Sequence, residues 1–193
     1  PTWCAIRWLH ASLRPMKNTP RRRSADGAQL RTARLEPRTA STRPSLFLAL
    51  QTGAGVAELP ASRAQCRRWI LSALSQDADL TLRFVARNEA RSLNAGYRSR
   101  DYAPDVLTFA YGSATDRSSD CLRADIVLCV PVLREQARVA RIPFAWRLAH
   151  LVIHGVLHAQ GHDHEHDDQA RVMQSLETAA LRRFNIPDPY IDS

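Results

Sequence analysis

The spacing of apolar residues changes several times along the chain, and each change marks an element. Residues 1–44 contain almost no periodic apolar positions. From Ser45 onward, compact segments follow one another. An apolar run over 46–50 predicts a short strand, and Cys66, Trp69, Ile70, Ala73 and Leu74 recur at helical spacing within 62–75. Leu80, Leu82, Phe84 and Ala86 alternate with other side chains, predicting a strand over 80–86, while 88–94 reads as a short helix begun by an Asn cap. Stretches 106–110 and 124–130 are the next strand candidates. Pro131 suits a first helical turn, so 132–140 is expected to be helical, and Pro143 opens a longer helix through about His158. Interspersed strands and helices imply an α+β fold, with a mixed sheet of about four strands packed with helices. No internal repeat interrupts this order.

Charge divides the chain at the same place as the apolar pattern. The formal net charge is +8. Residues 1–44 hold ten Lys or Arg against two acids, whereas 45–193 hold 17 of each, so the whole excess lies in the first stretch. The basic balance therefore says little about what the domain binds. With Arg21, Arg22, Arg23 and five prolines, residues 1–44 cannot bury enough apolar surface to offset chain entropy, and a disordered basic extension is expected. Residues 45–193 are expected to form one domain. Cys4, Cys66, Cys121 and Cys129 show no CxxC spacing, which argues against a disulfide framework and for a reducing cytoplasm. No apolar run approaches the roughly 18–20 residues that a membrane span needs, so no membrane partner is expected.

The densest chemistry lies at the end of the long helix. His154 and His158 are four apart, hence one turn apart on one helix face, about 6 Å along the axis. Gly161 suits a left-handed helix terminus, which lets the chain double back and bring His162, His164 or His166 toward the pair. Imidazoles suit Zn²⁺, Ni²⁺ or Cu²⁺, and three protein ligands leave a fourth position for water or substrate. Asp163, Glu165, Asp167 and Asp168 are nearby acids able to accept the second ring N–H of a ligand. A closed structural site with His162 or His166 as fourth ligand stays open on spacing alone. Gly155 stands where the helical zinc-protease motif His-Glu-x-x-His carries its general base, which lowers the case for peptide hydrolysis, although Glu165 or another acid could substitute.

Five arginines, Arg83, Arg87, Arg91, Arg98 and Arg100, face the single acid Glu89 within 83–100. The planar guanidinium matches phosphate oxygens, although a solvated helix face would look the same. The segment Leu93-Asn94-Ala95-Gly96-Tyr97-Arg98, with Asp101 and Asp105-Val106-Leu107-Thr108-Phe109, resembles the YbeY family of bacterial endoribonucleases. Ala124-Asp125-Ile126-Val127-Leu128-Cys129 and the run from His154 to His164 resemble two further blocks of that family, in the same order. The likeness covers about 45–185, and Ala103-Pro104 departs from the usual Pro-Thr pair.

The resemblance implies a single-strand-specific, metal-dependent endoribonuclease acting in ribosomal RNA maturation, notably at the small-subunit RNA 3′ end, and in ribosome quality control. It implies His154, His158 and His164 as zinc ligands, with Ni²⁺ an alternative ion, and Arg98 as the catalytic arginine. His162 matches a position that does not ligate. Single-stranded RNA, ribosomal RNA and the small ribosomal subunit are the implied partners. A metallohydrolase of another substrate such as a peptide, or a ribosome assembly factor with a structural metal, are the competing readings. Oligomeric state has no signature in these residues.

Overall fold

The computed structural model describes residues 43–111, 121–164 and 166–191. Most of the basic stretch 1–44, Cys4 and Glu165 lie outside them. The elements are β1 (Leu46–Thr52), α1 (Arg63–Ala73), β2 (Asp77–Val85), α2 (Arg87–Arg98), β3 (Val106–Tyr111), β4 (Cys121–Cys129), α3 (Val130–Val139), α4 (Phe144–Ala159) and α5 (Asp167–Arg182). The strands form one four-stranded sheet in the order β1-β2-β4-β3. β1 and β4 run parallel to β2, and β3 runs antiparallel to β4. The expected mixed sheet packed with helices is the one present.

Alternation along the strands sends side chains to two faces. Leu48 on β1, Leu80, Leu82 and Phe84 on β2, and Ala124, Ile126 and Leu128 on β4 join the larger core, which α1, α4 and α5 also line. Val85, Val127, Cys129 and Leu107 point the other way and pack with Ala90 and Leu93 of α2. The sheet thus lies between a thick helical layer and the single helix α2.

Helix α4 is apolar on nearly every side, with Leu148, Leu151, Val152, Ile153, Val156 and Leu157 buried, as expected of an interior helix. It packs on α1, α3 and α5 and against strands β3 and β4. Helix α1 starts at a capping box, in which the Ser62 hydroxyl accepts from the Gln65 backbone N–H and the Gln65 side chain accepts from the Ser62 N–H. Two of its side chains also cover a sheet edge. Arg63 and Arg67 donate to the Leu48 and Leu46 carbonyls, so part of the open rim of β1 is capped by guanidinium groups rather than by another strand.

Two expectations need correction. The helix expected over 88–94 with an Asn cap spans Arg87–Arg98, and Ala86 precedes it with no side-chain cap. Gly96 inside it meets no neighbour and does not end it; Ser99, at φ 54°, does. The helix after Pro131 begins one residue before that proline, at Val130. Helix α5 follows the histidine-rich turn and was not foreseen from periodicity.

Candidate metal centre

His154 and His158 project from the last two turns of α4, where one turn of separation sets both rings on one side. Their ring centroids are 4.5 Å apart. At the helix end Gly161 takes φ +88°, the left-handed conformation expected of it, and the chain turns back. That turn carries His164 to within 4.9 Å of the His158 ring and 5.6 Å of the His154 ring, centroid to centroid. The three histidines can each offer a ring nitrogen, all within 4.8 Å of one another. Such a set fits a divalent ion that prefers imidazole, and three imidazole ligands leave coordination space for a further one.

Side-chain contacts hold the turn in place. Gln160, at the end of α4, accepts from the Ser75 N–H at 2.8 Å and the Ser75 hydroxyl at 2.6 Å, and its amide donates to the Ala73 carbonyl at 2.8 Å. The end of α4 is thereby tied to the loop joining α1 to β2. The Asp163 carboxylate accepts from the His164 backbone N–H at 2.7 Å, which stiffens the residue that carries the third ring. His158 is pushed down to a pKa of about 4, first by burial and then by the neighbouring His154 and His164. At neutral pH it is an uncharged imidazole, the form a metal requires.

The partner of His154 comes from the unforeseen helix. Glu177 of α5 accepts from the His154 Nδ1–H at 2.7 Å, which leaves Nε2 as the free lone pair. The same carboxylate accepts from His150 Nε2–H at 3.0 Å and from the Tyr190 hydroxyl. Burial pushes the Glu177 carboxyl up, but hydrogen bonds from His150, His154 and Tyr190 together outweigh it and lower the pKa to about 2. Arg147 stands behind His150, with Nη1 3.4 Å from Nδ1, and reaches Gln136 at 3.0 Å and Asp105 at 3.4 Å. Sequence spacing offered Asp163, Glu165, Asp167 and Asp168 for the role that Glu177 takes, and Glu165 lies outside the described residues. The contact spans 23 residues, and no local pattern announces it.

Gly155 lies between the two helical histidines and faces the sheet. A Cβ placed there would stand 2.7 Å from Ile126 Cγ2 and 3.3 Å from Thr108 Oγ1. A side chain there would have to displace the fully buried Ile126, so packing disfavours a glutamate at the position where the protease motif has its base.

The arginines divide by partner. Arg83 pairs with Glu89 at 2.7 Å, and Arg91 grips Asp101 with two bonds of 2.5 and 2.6 Å. Arg98 is exposed at the end of α2 and pairs with no acid among the described residues. It is not a member of the histidine cluster. Tyr97 beside it packs edge-on against Phe109, centroids 5.1 Å apart, tying this end of α2 to β3. Thr108, the next residue of β3, is the one that faces Gly155 of α4. Arg98 and the histidines thus belong to elements that contact opposite sides of one strand. Cys129 is buried and its thiol is pushed up chiefly by burial, in keeping with an inert side chain.

The chain is similar over much of its length to known proteins. The family model described as Endoribonuclease YbeY matches residues 58–185. A protein of Cupriavidus pinatubonensis named Endoribonuclease YbeY is 48% identical over 157 residues, covering 80% of this chain and 76% of its own. One of the same name from Thiobacillus denitrificans is 46% identical over 147 residues, covering 76% of this chain and 97% of its own. A solution structure from Thermotoga maritima aligns with a TM-score of 0.47 at 23% identity, over 72% of this chain and 92% of that one. The family match over more than half of the chain and the near-half identity to relatives covered over most of their length agree, and the chain belongs to the endoribonuclease YbeY family.

Proposed function

We propose that this protein is a metal-dependent endoribonuclease that cuts single-stranded RNA, with His154, His158 and His164 holding the ion and Arg98 engaging the scissile phosphate. The observation that carries the reading is the convergence of three imidazole nitrogens within 4.8 Å in a member of this family. Zn²⁺ suits the all-imidazole donor set, and Ni²⁺ shares that preference. When bound, the ion supplies Lewis-acid polarisation of a phosphoryl oxygen.

The chain's own residues supply positioning and charge. Glu177 fixes the His154 ring, and burial keeps His158 neutral. Arg98, with no acid to neutralise it among the described residues, keeps its fork available for phosphate oxygens. This reading requires the RNA to reach both Arg98 and the histidines, whose elements contact opposite sides of the edge strand β3. A peptide as substrate is disfavoured by Gly155, because packing against Ile126 disfavours the base of the protease motif there.

Ribosomal RNA, notably the 3′ end of the small-subunit RNA, and ribosome quality control are the cellular setting we assign, with the small subunit as partner and the cytoplasm as location. Resemblance to the family supports these assignments. Residues 45–193 carry the reaction in this account, and 1–44 form a basic extension. The test is cleavage of a labelled single-stranded RNA by the Arg98→Ala variant, measured beside its metal content. Removal of one phosphate-stabilising donor predicts a loss of about 100-fold or more in rate, with metal retained. Full-rate cleavage would remove Arg98 from the mechanism.

A further inference from the structure

Glu177 is fully buried, and a carboxylate so placed is costly unless its oxygens are bonded and its charge is balanced. Its oxygens are bonded, by His154, His150 and Tyr190. Its charge is another matter. No lysine or arginine among the described residues pairs with it directly. Arg147 reaches only the far nitrogen of His150, and its charge is shared with Asp105. His154 itself belongs to a group of three histidines, with His158 and His164, that can accept a cation and has no carboxylate among its own members. The buried anion and the cation-binding cluster are complementary halves joined by one imidazole.

We propose that Glu177 is a positioning residue for the metal centre, fixing His154 with Nε2 free for the ion and offsetting part of its charge, and that Tyr190 and His150 hold Glu177 in place. This rests on the proposed metal-binding role of the three histidines. The donor pattern is specific: Arg147 donates to His150 Nδ1, so His150 Nε2 carries the proton that Glu177 accepts, and an acceptor-only group is required at 177. A glutamine would bring an N–H into a nest of donors and lose the charge. The arrangement also extends the centre beyond α4. Glu177 belongs to α5 and Tyr190 to the segment after it, so the C-terminal end of the described chain braces a ligand on another helix without touching the ion site itself.

The experiment measures zinc affinity of the purified full chain by competition with a chromogenic chelator, and records the visible spectrum of the Co²⁺-loaded protein. Glu177→Gln is expected to bind zinc 10–100-fold more weakly, the range for loss of such a partner, and to shift the Co²⁺ bands. Tyr190→Phe, a gentler change, should weaken binding several-fold, and adding it to Glu177→Gln should cost little more, because both act through one carboxylate. Near-UV circular dichroism of each metal-free variant reports folding. If Glu177→Gln does not fold, Tyr190→Phe decides alone. Folded variants with the affinity and Co²⁺ spectrum of the parent would overturn the proposal, as would a lowered metal-free unfolding temperature with unchanged affinity, the mark of a purely structural role. A parent chain that binds neither ion would instead remove the metal reading on which the proposal stands.

Discussion

Gly155 is the residue where packing and chemistry constrain each other most tightly. Alanine there would gain about 1 kcal/mol of helix propensity. The methyl would, however, stand 2.7 Å from a branch of the fully buried Ile126, which sits on the central sheet and has little room to retreat. Overpacking of this kind costs about 1–3 kcal/mol, so Gly155→Ala should lower the unfolding midpoint, and a thermal melt that rises would show the contact to be softer than described. Protonation acts on the neighbouring residues. His158 titrates at about 4 in the folded protein against a usual 6.5, so its contribution is complete above 6.5 and is lost as pH falls through 4. Glu177, at about 2 against 4.5, contributes fully above 4.5 and loses that contribution as pH falls through 2. The metal-free chain should therefore lose stability in two stages on acidification, and urea titrations at stepped pH should lose the lower stage in Glu177→Gln. An unchanged profile in that variant would contradict the assignment.

The turn between α4 and α5 decides whether the third histidine reaches the other two. Its left-handed Gly161 lets the chain reverse, and Gly161→Ala should cost about 1–2 kcal/mol and weaken metal binding together, because the strain falls on the segment carrying His164. Equal affinity in that variant would show that the turn does not set the site. Much of this element was legible: an i,i+4 histidine pair and a helix-ending glycine are local patterns, and both stand where spacing put them. The element after the turn was not. In α5 Val172 and Leu176 are exposed while the charged Glu177 is buried among Met173, Ala180 and Leu181, so its apolar rhythm misreports which face is inside. The carboxylate that breaks the pattern is the one that touches His154. Helix α2 runs past the expected 94 to Arg98 and ends at the left-handed Ser99, a residue whose type does not announce a stop.

For the whole molecule, strand alternation and interspersed helices made the layered α+β architecture legible, because β2 and β4 each send alternate residues to opposite cores. Strand order was beyond local pattern: β3 lies at the edge beside β4, antiparallel to it, and that placement brings Thr108 against Gly155 and the end of α2 to the other side of the same strand. No described helix is long and apolar enough to cross a membrane. The overall charge of +8 reflects residues 1–44 and leaves the remainder neutral, so RNA recognition in this account depends on placed groups such as Arg98 rather than on a bulk field. The most direct measurement of the central claim is cleavage of a labelled single-stranded RNA by the zinc-loaded full chain, run beside His158→Ala prepared identically. The account predicts cleavage by the parent, its loss on chelation, and none above background in the variant. Equal cleavage by both preparations, or none by the zinc-loaded parent, would contradict it.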